Sequence, residues 1–270
     1  MNDIIVSWKK ITRGLPKARR FADDRVPTLE EIRKIIDYPD RRIKPNVYTI
    51  SSSGIRLEAW NYLRWSHIKP IERGGHFLAA KVKVYAGDPH EYFTFTTPEA
   101  YEALASWMKF RKDSGEDITS NSWVMRDLWD TKKGCIQHLV SIPKKLKATD
   151  VKRLVEDALW TQGLHTKLSA GKRRHEFQAN HGFRKWFKMT CETAGVKPIV
   201  TETLRRHSVG ISDSYYRPTE GELLDDYLKA VPFLTVANEV KKICQASTFS
   251  ELLDNYQYKQ FTDGFRIRVN

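Results

Sequence analysis

Apolar positions recur along this chain with two different periods, and the switches between them divide it into elements. Ile32, Ile35 and Ile36 follow Thr28-Leu-Glu-Glu, a capping-box pattern that predicts a helix opening at Thr28. A second helical stretch from Lys44 to Ser53 is predicted to end at Gly54. A third, Leu57 to Trp65, is predicted to turn Leu57, Trp60 and Leu63 toward a core, with Tyr62 a further candidate. Arg56 then falls at a turn between helices, where a side chain can leave the core and meet a ligand.

The period next drops to two. His76 to Tyr85 and Glu91 to Thr96 are rich in β-branched and aromatic residues and flank Ala-Gly-Asp-Pro-His, so they predict a β-hairpin, with Ser66 to Ile71 as a third strand. Lys81 and Lys83 fall on one face of the first long strand, opposite Val82 and Val84.

Helical spacing returns at Thr97-Pro98-Glu99 and runs to Arg111, with Tyr101, Leu104 and Met108 on one side. Further helices are predicted over 148–162, from Glu176 to Ala194 with Gly195 as its stop, and from Val200 to Arg206. Another opens at Pro218-Thr219-Glu-Gly-Glu222 by capping-box logic, and an amphipathic one spans Ala237 to Tyr256. His181 and Arg184 sit at i, i+3 on one helix face, close enough to address one ligand. Trp60, Trp65, Trp107 and Trp186 are read as core residues rather than base-stacking platforms.

Charge narrows the class of partner. A net charge of +13 favours a polyanion, and nucleic acid above others, because each neutralised phosphate releases condensed counterions. Lysines and arginines crowd residues 9–20 and 144–174, whereas acids balance them after Thr219. No stretch is long and apolar enough to span a membrane, and the charged start is no secretory signal, so an intracellular protein is expected, nucleoid-associated or encoded by a virus or plasmid. Cys135, Cys191 and Cys244 lack metal-ligand spacing and are expected to be reduced and mostly buried.

A constellation of polar residues remains: Arg56, His181-Gly-Phe-Arg184, His207, and Tyr216 nine residues after His207. A phosphodiester is an anion whose transition state gathers more negative charge, and two guanidiniums can neutralise it in place of a metal. Arg56 and Arg184 are the candidates. A tyrosine hydroxyl, with an ordinary pKa of about 10, needs a positive environment or a base to attack at neutral pH, and His181 is placed as that base. Tyr215 is the alternative nucleophile; the spacing from His207 favours Tyr216.

In order and spacing, Ser53-Gly-Ile-Arg56, His181-x-x-Arg184 and Arg206-His-Ser through Tyr216 resemble the tyrosine recombinases, or phage integrase family, and most resemble its archaeal integrases. The resemblance covers roughly residues 25 to 235. It implies an α+β fold, a mainly helical catalytic domain with a small antiparallel β-sheet. It also implies site-specific cleavage and rejoining of double-stranded DNA through a 3′-phosphotyrosyl intermediate, in a homotetramer on DNA, without metal, cofactor or ATP. A hairpin lysine protonates the departing 5′-oxygen in the family, which makes Lys83 the first choice and Lys81 the second.

Two positions depart from the family pattern. Ala59 stands where an acid often supports the first arginine, and Arg206 replaces the glycine common before the second histidine. Arg205-Arg206 either adds phosphate contacts or marks weakened catalysis. The expected organisation is a basic linker or arm over 1–27, the catalytic domain over 28–233, and a helical tail over 234–270 suited to exchange between protomers. The family's separate core-binding domain is not recognisable upstream of residue 27, as in a catalytic fragment or a minimal enzyme. A type IB topoisomerase and a non-catalytic DNA-binding relative are the competing readings.

Overall fold

The computed structural model describes residues 24–129, 140–171, 174–207 and 218–237. Most of the basic arm, Cys135, Cys244, Tyr215, Tyr216 and nearly all of the tail, including the helix expected up to Tyr256, lie outside the described residues.

Helix α1 (Leu29–Ile36) begins as the sequence dictates. The Thr28 hydroxyl accepts from the Glu31 N–H while the Glu31 carboxylate accepts from the Thr28 N–H, and Ile32, Ile35 and Ile36 are buried. Such a cap contributes about 1 kcal/mol. Helix α2 (Ile43–Ser53) follows and is buried along nearly its whole length.

The stretch after Arg56 departs from expectation. Only Leu57–Asn61 coils, as a short 3-10 turn, and no helix continues to Trp65. The backbone beyond it is taken by a distant partner: the Val124 N–H donates to the Leu63 carbonyl, and Arg64 bridges to Trp123. Trp60 and Leu63 are buried as expected, whereas Tyr62 is exposed.

The sheet is a meander of β1 (Ile68–Arg73), β2 (His76–Val84) and β3 (Tyr92–Thr96), antiparallel in the order β1-β2-β3 with a bulge at Ile71/Glu72. Val82 and Val84 point into the core and Lys81 and Lys83 outward, as the alternation required.

Helices α3 (Pro98–Asp113), α4 (Ala148–Thr161), α5 (Ala179–Thr193), α6 (Pro198–Leu204), α7 (Glu220–Leu228) and α8 (Val231–Leu234) complete the described chain. Helix α5 starts at Ala179 rather than Glu176; α7 opens with the expected capping box on Thr219.

Two apolar clusters make the core. One joins α1, α2, the 3-10 turn, β2 and α4; the other joins Phe95, α5, α6, α7 and α8. Beside them Arg111 and Arg126, both fully buried, share the Glu116 carboxylate at 2.5 and 3.0 Å and donate to the carbonyls of Val124 and Val140. That network is needed because a buried charge is tolerated only when paired and hydrogen-bonded.

Leu234 and Val236 are buried in these clusters, and the N–H groups of Val236 and Ala237 donate to the Glu99 carboxylate at 2.8 Å. The packed body thus continues past residue 233, where the tail was expected to begin.

Candidate active site

The site is built on a turn that only glycine permits. Helix α2 ends at Gly54 with φ +62°, and a Cβ there would lie 2.5 Å from Phe187 Cδ1 on α5. The turn therefore sits hard against α5, whose Phe183, Phe187 and Cys191 face inward. From α5, the buried Arg184 donates through Nη1 to the Gly54 carbonyl and through Nη2 to the Arg205 carbonyl at 3.3 Å. Arg56, two residues after Gly54 and exposed, donates through Nη2 to the Arg206 carbonyl at 3.3 Å. Adjacent carbonyls of one turn thus hold the two arginines.

Glu202 makes that turn rigid. Its buried carboxylate accepts from the Lys188 ammonium on α5 and from Arg205 Nη1 at 3.2 Å, and it lies 3.2 Å from His207 Nδ1. Burial alone would raise its pKa; Lys188, Arg205 and His207 outweigh that and hold it below the usual value, so it stays ionised. A carboxylate beside Nδ1 favours the tautomer protonated on that nitrogen, in which Nε2 is the ring nitrogen left for a ligand.

Arg56, His181, Arg184, Arg205 and His207 line one open cleft of about 850 Å³. Burial, with Arg205 and Arg56 nearby, pulls the Arg184 guanidinium down to about 10, so it remains charged at neutral pH. Partial burial also lowers the His181 pKa; Lys185, Arg184 and Arg205 add to this and Asp24 opposes it. The imidazole is therefore mostly neutral near pH 7 and able to accept a proton.

His207 also lines a second, adjoining cleft of about 1130 Å³, together with Lys81, Lys83, Tyr92 and Arg206. Both hairpin lysines are engaged. Lys83 pairs with Glu91 at 2.9 Å across the hairpin, and Lys81 pairs with Glu220 at the start of α7. The Gly87 N–H and the Lys83 ammonium hold Glu91 below the ordinary carboxylate range.

The residues singled out from the sequence are thus brought together where they are described: Arg56, His181, Arg184 and His207 in one cleft, Lys83 and Lys81 in its neighbour. Tyr216 lies outside the described residues. Sequence reading missed Glu202 and Glu91. The signal for Glu202 was present, a lone acid three residues before Arg205 and five before His207, but its Lys188 partner is supplied by another helix. Asn180, beside His181 in the first cleft, is buried with its amide unpaired among the described residues, which marks a polar group lacking its partner.

The fold has counterparts among solved structures. The integrase from mycobacterium phage Brujita aligns with a TM-score of 0.53 at 14% identity, over 85% of this chain and 66% of that one. A crystal structure of XerA recombinase aligns with a TM-score of 0.48 at 17% identity, over 78% of this chain and 65% of that one. XerH site-specific recombinase bound to difH substrate gives 0.46 at 14% identity, over 76% of this chain and 50% of that one. This chain therefore spans less than two thirds of the length of each. No family profile and no curated protein matches the sequence. The likeness to the phage integrase shows the fold: a helical domain with a small three-stranded antiparallel sheet, as in the catalytic domains of tyrosine recombinases.

Proposed function

We propose that this chain is the catalytic part of a site-specific tyrosine recombinase or integrase acting on double-stranded DNA. One observation carries the reading. Two guanidiniums held by adjacent carbonyls share a cleft with two histidines, one of them depressed toward the neutral form.

Arg56 and Arg184 would each fork onto nonbridging oxygens of the scissile phosphate, neutralising charge as it develops. Tyr216 Oη attacks phosphorus, its proton passes to His181, and the bond to the 5′-oxygen breaks. Lys83, or Lys81, protonates that leaving oxygen, and His207 donates from Nε2 to a phosphate oxygen. The 3′-phosphotyrosyl bond stores the energy of the broken linkage, so another DNA hydroxyl rejoins the strand without ATP. No step needs a metal. Assembly as a homotetramer, with the tail after Ala237 docked on a neighbouring protomer, is part of the same reading, as is the likeness of the motifs to archaeal integrases.

The test is incubation with nicked suicide duplexes carrying the cognate site, in EDTA, followed by a denaturing gel. A protein–DNA band that survives denaturation supports the reading; binding without such a band identifies a non-catalytic relative.

A further inference from the structure

Four helices among the described residues end in the same way. In α3, α4, α5 and α6 the second N–H past the cap reaches back to the third-last carbonyl and the first to the second-last: Glu116 to Arg111, Leu164 to Leu159, Val196 to Cys191 and His207 to Glu202 for the outer bond. This closure requires a left-handed residue between cap and outer donor, the place where glycine is favoured because it has no Cβ to strain. The chain follows that rule at Gly115, Gly163 and Gly195, with φ of 98°, 68° and 80°. At α6 the residue is Arg206, with φ 51°.

An arginine in that position works against the local backbone, so its side chain must compensate elsewhere. Its contacts within the protein are slight. Nη1 donates to the Glu91 carbonyl at 3.2 Å, the guanidinium stands 5.9 Å from the Tyr92 ring centre, and no ion pair ties it among the described residues. The side chain is exposed and lines the cleft that carries Lys81, Lys83 and His207, while its own carbonyl holds Arg56.

We infer that Arg206 is a third DNA-contacting arginine, which binds a backbone phosphate next to the one held by Arg56 and Arg184. The inference rests on the DNA reading above. A guanidinium suits this task because it stays charged and forks onto two phosphate oxygens. The left-handed turn places it in the cleft it shares with His207, Lys81 and Lys83.

The position supplies its own control, since glycine there relieves the backbone while removing the cation. Duplex binding is measured against salt concentration for the wild type, Arg206→Gly, Arg206→Asn and Arg206→Lys, with thermal unfolding of each. One lost phosphate contact lowers the slope of log K against log salt by about 0.9, which is roughly an eightfold loss of affinity at 0.1 M salt. Arg206→Gly and Arg206→Asn are expected to show that loss with an unfolding midpoint at or above the wild type's, and Arg206→Lys to regain most of the slope. An unchanged slope in Arg206→Gly, or a fall in affinity that merely tracks a lower midpoint in both uncharged variants, overturns the inference. If the wild type binds no duplex at any salt, the DNA reading fails and takes this inference with it; a wild type that binds with an indifferent Arg206→Gly sinks the inference alone.

Discussion

The guanidinium of Arg184 donates to the carbonyl of Gly54, so the residue that ends α2 is tied to the helix carrying His181 and stands two residues before Arg56. One bond thus sets the spacing of the two arginines. Its geometry depends on a residue without a Cβ, because φ is +62° and Phe187 occupies the space a Cβ would need. Gly54→Ala is expected to cost about 2–3 kcal/mol of stability, measured by urea unfolding. A loss below about 0.5 kcal/mol would show that the turn and α5 move apart easily.

Glu202 is expected to set the tautomer of His207. In Glu202→Gln the carboxylate at Nδ1 is lost, and nitrogen NMR of the His207 ring should show the proton redistributed between Nδ1 and Nε2. Cleavage should slow by roughly tenfold to a hundredfold, the scale of a charged hydrogen bond, while DNA binding changes little. Identical ring spectra in the two proteins would mean that the 3.2 Å contact does not orient the imidazole.

The lowered pKa of His181 fixes a direction for pH dependence. Burial comes first among its causes, and the neutral form is favoured below the ordinary 6.5. The folded chain then binds fewer protons at this site than the unfolded one, so its contribution to stability is present above 6.5 and is lost as pH falls through the lowered value. A general base follows the same sign, since only the neutral ring accepts a proton. The acidic limb of the cleavage rate should therefore have its midpoint below 6.5 and vanish in His181→Gln. A midpoint above 6.5 would remove His181 from the base role.

Lys83 is expected to protonate the leaving 5′-oxygen once DNA displaces Glu91 from it. Lys83→Ala should slow cleavage of ordinary DNA about a hundredfold, within the usual range for general acid catalysis. A 5′-bridging phosphorothiolate, whose thiolate leaves without a proton, should restore most of the rate. Persistence of the defect on that substrate would remove Lys83 from the acid role and move it to Lys81, which Glu220 holds at the start of α7, or to another group.

Elements governed by local rules were legible in the sequence. The change to a period of two marked β2 and β3, the capping boxes marked α1 and α7, and the i, i+3 spacing placed His181 and Arg184 on one face. What escaped was decided by distant partners. Leu57 to Trp65 has helical spacing, yet Leu63 and Arg64 pair with the strand-like run at Trp123 and Val124, and the helix stops at Asn61. The link from Arg56 to the Arg206 carbonyl joins residues too far apart in the chain for any local pattern to register. For Arg206, a departure from glycine that the sequence left between added phosphate contacts and weakened catalysis, the left-handed backbone was the part no sequence pattern showed.

The most direct test of the central claim asks which atom carries the DNA. Wild type, Tyr216→Phe and Tyr215→Phe are each incubated with the nicked suicide duplex, and any adduct is digested and located by mass spectrometry. The account predicts a phosphotyrosyl peptide at Tyr216 in the wild type and in Tyr215→Phe, and none in Tyr216→Phe, which should still bind the duplex with near wild-type affinity. An adduct that persists in Tyr216→Phe, or one that disappears only in Tyr215→Phe, would contradict it.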